Sequence, residues 1–223
     1  MRISKFIHSC VLIEEADSRI LFDPGKFCFV EGLVQPGQFQ DLTAILLSHG
    51  HPDHLDAGSL RKILDANPHA ELLTSKATAT ELASSGIRVS LFEEGERTIG
   101  DFRVTAVAAV HAPILGGEPP CNTAFLVNDM VLNPGDSFSG ALDRFAGTPV
   151  LLLPIMAPWE NELEMWAFVQ RMRPQVVIPV HDGQAKPFFV DHRYEFLAGE
   201  FDKVGIRFIS LKRPGGSYEF AHA

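Results

Sequence analysis

The stretch Ser48-His49-Gly50-His51-Pro52-Asp53-His54 places three imidazoles and a carboxylate within six residues. Packing asks for no such cluster, whereas His and Asp are the usual nitrogen and oxygen donors to a zinc-type ion. His49 and His51 are two apart and can grip one ion. Asp53 and His54 then face a second position. One ion taking all four would instead make a closed, structural site. Further along, His111 follows the apolar run Phe102–Val110, Asp136 follows the segment Met130 to Leu132 and Asn133-Pro134-Gly135, and His181 follows Val176–Val180. Strand ends that deliver only His or Asp predict convergence on one edge of a sheet sandwich. His49, His51, Asp53, His54, His111, Asp136 and His181 are too many for one tetrahedral ion. They suit two ions that share a carboxylate and leave room for water.

The elements that must position these residues follow from hydrophobic period. Leu42 to Leu47 has the length and apolar continuity of a strand buried on both faces, and Leu55, Leu60, Ile63 and Leu64 recur at helical spacing. The His cluster therefore sits on a strand-to-helix loop, at the crevice side of an α/β sheet. Upstream, Phe6 to Glu14 reads as a strand, with Arg19 to Phe22 as its hairpin partner. His8 within it either faces solvent or lines the site. Asp23-Pro24-Gly25 is either a turn or a carboxylate that orients the His loop, a support metal sites need. Lys26 to Gln40 has no clear period but carries Phe27, Phe29, Val30, Leu33 and Phe39. A loop covering substrate, an oligomer contact and core packing all fit it. Downstream, strands are expected at 70–74, 87–89, 102–110, 123–127, 130–132, 148–153, 176–180, 206–211 and 217–220. Helices are expected to end near Asn67-Pro68 and to cover 76–85, 160–172 and part of 187–200.

With 223 residues, 46% hydrophobic and 21% charged, the chain suits one substantial core, and residues 1–223 read as one domain. A net charge of -9 argues against a general polyanion-binding surface, and so against nucleic acid as partner. Cys10, Cys28 and Cys121 are odd in number and lack CxxC spacing, which fits a reducing cytoplasm rather than a disulfide framework. The start lacks the apolar region of a signal peptide, and no apolar run reaches membrane-spanning length.

His-x-His-x-Asp-His at 49–54, followed in order by His111, Gly135-Asp136 and His181, resembles the metallo-β-lactamase superfamily over most of the chain. The resemblance implies an α/β fold, a four-layer αββα sandwich with a dinuclear metal site along one edge. It implies that His49, His51 and His111 hold one metal, that Asp53, His54 and His181 hold the other, and that Asp136 bridges them. His8-Ser9-Cys10 with Phe22-Asp23-Pro24 is similar to the L-ascorbate-6-phosphate lactonase branch, in which His8 and Asp23 would lie at or behind the site. Two divalent cations are expected, zinc by default, with manganese, iron or nickel also compatible with the donors. The chemistry implied is hydrolysis by metal-activated water, with Asp53 passing a proton to the leaving oxygen.

A small molecule is the expected substrate: a lactone or related ester, phosphorylated or not. Lys26, Lys186 and Arg193 are the candidates for holding an anionic group. A small or lipid phosphodiester is the alternative, since two-metal sites also serve phosphoryl centres. A metal-stabilised scaffold or sensor is the non-enzymatic reading, and the intact ligand set argues against it. A homo-oligomer is compatible with the sequence.

Overall fold

A computed structural model of the protein describes residues 1–220. Among the described residues, fourteen strands form two sheets of seven. The first sheet contains β1 (Arg2–Lys5), β2 (Val11–Glu15), β3 (Ser18–Phe22), β4 (Ala44–Leu46), β5 (Glu71–Thr74), β6 (Ser90–Leu91) and β14 (Gly216–Glu219), in the order β14-β1-β2-β3-β4-β5-β6. The second contains β7 (Gly95–Ile99), β8 (Phe102–Val110), β9 (Cys121–Val127), β10 (Val131–Asn133), β11 (Val150–Pro154), β12 (Val176–Val180) and β13 (Arg207–Phe208), in the order β13-β12-β11-β10-β9-β8-β7. Five helices accompany them: α1 (Lys26–Phe29), α2 (Ala57–Ala66), α3 (Lys76–Ala83), α4 (Glu162–Met172) and α5 (Pro187–Asp202).

Period-2 alternation explains the layering, because the central strands bury both faces. Ile20, Phe22, Ala44 and Leu46 of the first sheet meet Val104, Phe125, Val131, Leu152 and Ile178 of the second in the central core. The opposite face of the first sheet (Leu21, Ile45, Leu72) packs with Leu60 and Ile63 of α2 and Leu82 of α3. That of the second (Leu151, Leu153, Val177) packs with Phe168 and Val169 of α4 and Tyr194, Leu197 and Phe201 of α5. This is the expected αββα sandwich.

Strand direction sets the functional edge. β3, β4 and β5 are parallel neighbours, as are β10, β11 and β12. β8 is antiparallel to β9, which is antiparallel to β10, so β8 and β10 share a direction. The carboxyl ends therefore deliver Asp23, His49, His111, Asp136 and His181 to a common rim.

The structure corrects several expected elements. Residues 6–10 break the strand expected from Phe6 to Glu14: His8 adopts a left-handed φ of 64° there, between β1 and β2. The strand expected at 87–89 forms instead at Ser90–Leu91, where Leu73 and Thr74 of β5 offer pairing. β7 was not expected, because Glu96 and Arg97 lie on an exposed edge and leave no apolar signature. Asn128 and Asp129, at φ 51° and 53°, make the tight turn foreseen between β9 and β10. The segment after Gly25 divides its roles: Cys28, Val34 and Phe39 are buried, while Val30 and Leu33 are exposed. No helix among the described residues is long and apolar enough to cross a membrane.

Candidate metal centre

The loop following β4 is held from below by Asp23, which follows β3. Its carboxylate accepts from the Ser48 amide (2.7 Å), the Ser48 hydroxyl (2.8 Å) and the His54 Nδ1–H (3.1 Å). Since the Ser48 hydroxyl donates to Asp23, its oxygen is free to accept from His49 Nδ1 at 3.0 Å. Asp23 is thus the support of the His loop rather than only a turn residue. Gly25 brings the chain against the far side of the same loop, where an added Cβ would lie 1.9 Å from the Asp53 carbonyl oxygen. From the second sheet, the loop after β10 turns at Gly135 (φ 57°), and the Asp136 amide donates to Asn122 Oδ1 at 3.1 Å. The Ala112 amide donates to the Asp136 carbonyl at 2.8 Å, which ties the end of β8 to that loop.

Tautomers follow from these outer bonds. His111 Nδ1 donates to the Ala112 carbonyl and His181 Nδ1 to that of Met156, each at 2.6 Å. Together with the bonds of His49 and His54, this leaves four Nε2 lone pairs directed inward. His51 presents Nδ1 instead, 3.1 Å from His49 Nε2.

The donors form two groups within 4.8 Å: His49, His51, His111 and Asp136 in one, and His8, Asp53, His54 and His181 in the other. Asp136 lies between them. Its Oδ1 is 3.2 Å from His54 Nε2, and its Oδ2 is 3.2 Å from His181 Nε2 and 3.5 Å from His111 Nε2. Donors sharing one cation at bonds of about 2.1 Å lie about 3.0–3.4 Å apart, so these spacings fit shared cations.

Hydrogen bonding gives an independent test. Among the described residues, Nε2 of His54, His111 and His181 and Oδ1 of Asp136 are buried without a hydrogen-bond partner. Close approach without an aligned N–H is costly for four buried polar atoms in one spot, unless a cation satisfies them. The residues fit a pair of metal ions.

His8 stands apart in its group. Its Nδ1 accepts from the Gly183 amide at 3.1 Å, so Nε2 carries the proton and donates to Asp53 Oδ2 at 3.1 Å. Burial pulls its pKa down to about 4, against the opposing pull of Asp53, so it is neutral at pH 7. His8 orients a carboxylate and keeps no inward lone pair.

The field of the cluster is cation-seeking. Burial works against charge on Asp136, but His54 and His181 hold its carboxyl well below the ordinary range. Asp53 is likewise lowered, with burial outweighed by the imidazoles of His181 and His8 beside it. Asp136 and Asp23 overcome burial at His54, raising its pKa, and Asp136 and Asp53 lift that of His181 to about 9. Burial dominates at His49, which is pulled well down. Protons and metal ions compete for the same inward lone pairs.

A cavity of about 520 Å³ opens in front of His51, Asp53, Asp136 and His181, walled by Phe27, Pro113, Ile114, Leu115, Pro158 and Trp159. Lys186 and Arg193 do not line it. Lys186 is exposed at the start of α5. Arg193 is committed to Glu162, lies 3.5 Å from Glu160, and faces an adjoining hollow that shares Pro158 and Gln184.

Two features escaped sequence reading. Trp159 Nε1 donates to Asp136 Oδ2 at 3.0 Å, with its ring beside those of His111 and His181. Behind His181, Lys5 Nζ lies 2.5 Å from Asp182 Oδ2 and 2.9 Å from the Tyr194 hydroxyl, which itself donates to Asp182 at 2.5 Å. An ionisable residue directly after a predicted ligand was the available signal for the second. The indole contact had none.

Residues 2–181 match the family model described as Beta-lactamase superfamily domain. Protein Rv0786c of Mycobacterium tuberculosis is 32% identical over 194 residues, covering 84% of this chain and 86% of that protein. A UPF0173 metal-dependent hydrolase of Aeropyrum pernix is 26% identical, covering 98% and 97%. Among solved structures, Igni18, a metallo hydrolase from Ignicoccus hospitalis, aligns with a TM-score of 0.71 at 19% identity over 99% of both chains. The metallo-β-lactamase fold protein YhfI of Bacillus subtilis aligns at 0.72 and 18% identity, over 98% of both. At those identities the structural matches speak to fold.

Proposed function

The chain belongs to the β-lactamase superfamily and is a metal-dependent hydrolase, and from that premise we propose that it opens a lactone or cleaves a related ester with two bound divalent cations. His49, His51 and His111 would hold one cation and Asp53, His54 and His181 the other, with Asp136 within reach of both groups. The observation that carries this reading is the set of four buried, unpartnered donor atoms at the meeting point of the two sheets. Zinc is our first choice for a His-rich set, with manganese, iron and nickel compatible with the carboxylates. Three free cysteines favour a cytoplasmic setting, and we treat residues 1–223 as one hydrolase domain.

Bound cations supply Lewis acidity and bring the pKa of water toward neutrality. The chain's own residues supply the rest. Asp23 and Ser48 fix the His loop, and His8 keeps Asp53 turned toward the cavity. Asp53, whose side chain is 19% exposed, faces the cavity, accepts the proton given up by the attacking water and passes it to the leaving oxygen. Phe27, Ile114 and Trp159 exclude bulk water from the reacting group.

The test is hydrolysis by metal-reconstituted protein on paired panels of lactones and phosphodiesters, with His51→Ala as the blank. Lactone or ester turnover above the blank supports the reading. Turnover of phosphodiesters alone replaces it with phosphodiester chemistry. For Asp53, unchanged turnover in an Asp53→Ala protein with restored metal content removes the proton-transfer role.

A further inference from the structure

The cavity has two unlike ends. At the inner end stand Asp53, Asp136, His51 and His181. At the outer end stand Phe27, Pro113, Ile114, Leu115, Pro158 and Trp159. Gln184 is the one neutral polar side chain in the lining, and among the described residues neither Lys nor Arg contributes to it. Arg193, in the adjoining hollow, is taken by Glu160 and Glu162. A phosphate or carboxylate remote from the reacting centre would lose water here and meet no counter-charge. An alkyl group would remove its own surface and that of Leu115, which is fully exposed at the rim, from water.

Trp159 connects the two ends. Its ring forms part of the apolar wall while its N–H holds Asp136, between Phe138 at 5.4 Å and the imidazoles of His111 and His181. Displacing the indole would therefore remove a hydrogen bond from the carboxylate that lies between the two donor groups.

We propose that the cavity selects an uncharged ester or lactone whose non-reacting part is apolar, seated against Phe27, Ile114, Leu115 and Trp159, and that Trp159 is a positioning residue for Asp136. The proposal rests on the hydrolytic reading above and narrows it, setting aside a phosphorylated substrate.

The test uses γ-lactones with unbranched alkyl side chains of increasing length, beside a lactone of equal ring size carrying a phosphate. Burial of each methylene predicts a rise of about fourfold in kcat/KM until the cavity is filled. The phosphorylated lactone should be at least about tenfold poorer than a neutral one of similar size. Leu115→Glu should reduce the gain with chain length. Trp159→Phe keeps an apolar ring but loses the donor, so kcat should fall about tenfold or more with little change in KM. Binding is read separately from turnover by fluorescence of Trp159 in a Trp166→Phe background, using the same lactones. A flat dependence on chain length in both readouts, or preference for the phosphorylated lactone, overturns the proposal. Chain-length-dependent fluorescence without turnover of any lactone or ester supports the cavity assignment and refutes the reaction class instead.

Discussion

Replacing Gly25 with alanine adds one methyl group where the chain crosses behind the metal loop. Gly25 has an ordinary φ of -82°, so alanine brings no backbone strain of its own. The difficulty is purely one of space. The new Cβ would lie 1.9 Å from the Asp53 oxygen, 2.1 Å from its carbonyl carbon and 2.4 Å from the His54 nitrogen. All three are main-chain atoms, so no side chain can swing aside. Restoring ordinary contact requires the two segments to part by about 1.5 Å, whereas a working constellation tolerates about 0.5 Å. Gly25→Ala should therefore destabilise the fold by about 1–3 kcal/mol, lowering Tm by roughly 2–12 °C. It should also displace Asp53 and His54 while leaving His49, His51 and His111 in place. Metal analysis after reconstitution should fall from about two ions per chain to about one, and kcat/KM should drop about 100-fold or more. Gly37→Ala, which meets nothing within 4 Å, is the control. Two ions per chain with unchanged kcat/KM in Gly25→Ala would refute the claim that this contact sets the position of the second donor group.

Asp23→Asn puts an amide donor where Ser48 and the His54 Nδ1–H both need an acceptor; metal affinity should fall about 10–100-fold, and affinity equal to the parent's would exclude a supporting role. Lys5→Met leaves Asp182 buried without its cation, with side-chain exposures of 3% and 7% in the pair. It should cost about 3–5 kcal/mol in denaturant unfolding of the metal-free protein, and a loss under about 1 kcal/mol would contradict that burial. Metal binding should release protons. A folded pKa of about 9 for His181, above its ordinary 6.5, means that its proton stabilises the metal-free fold fully below pH 6.5 and is lost as pH rises through 9. A cation must displace that proton, so affinity should rise by about tenfold per pH unit across this window and level off above it. Calorimetry in buffers of different ionisation enthalpy reads the release, and zero protons released at pH 7 would sink the reasoning.

The parts of the site legible in the sequence were those in which chemistry and local pattern coincide. His49 to His54 follow an apolar run and precede a helical one, and the strands ending at Val110 and Val180 appear with the expected bounds. The clusters of the structure bring together all seven expected donors, and they add His8 through its bond to Asp53. What could not be read depends on partners distant in sequence. The left-handed turn at His8 is stabilised by bonds to His181 and Gly183. β6 and β7 are edge strands defined by their neighbours rather than by their own residues. Lys5 and Asp182 are 177 residues apart, and nothing local to either announces a buried ion pair.

The uneven exposure of the donors has a further consequence. His51 and Asp53 alone are partly exposed, and both face the cavity, while the other donors are buried. Ions must therefore exchange along the path that substrate uses. Occupancy of the cavity then governs the lifetime of the cations as well as the chemistry: a chelator would strip the free protein faster than the liganded one, and an ion arriving late would wait for product to leave.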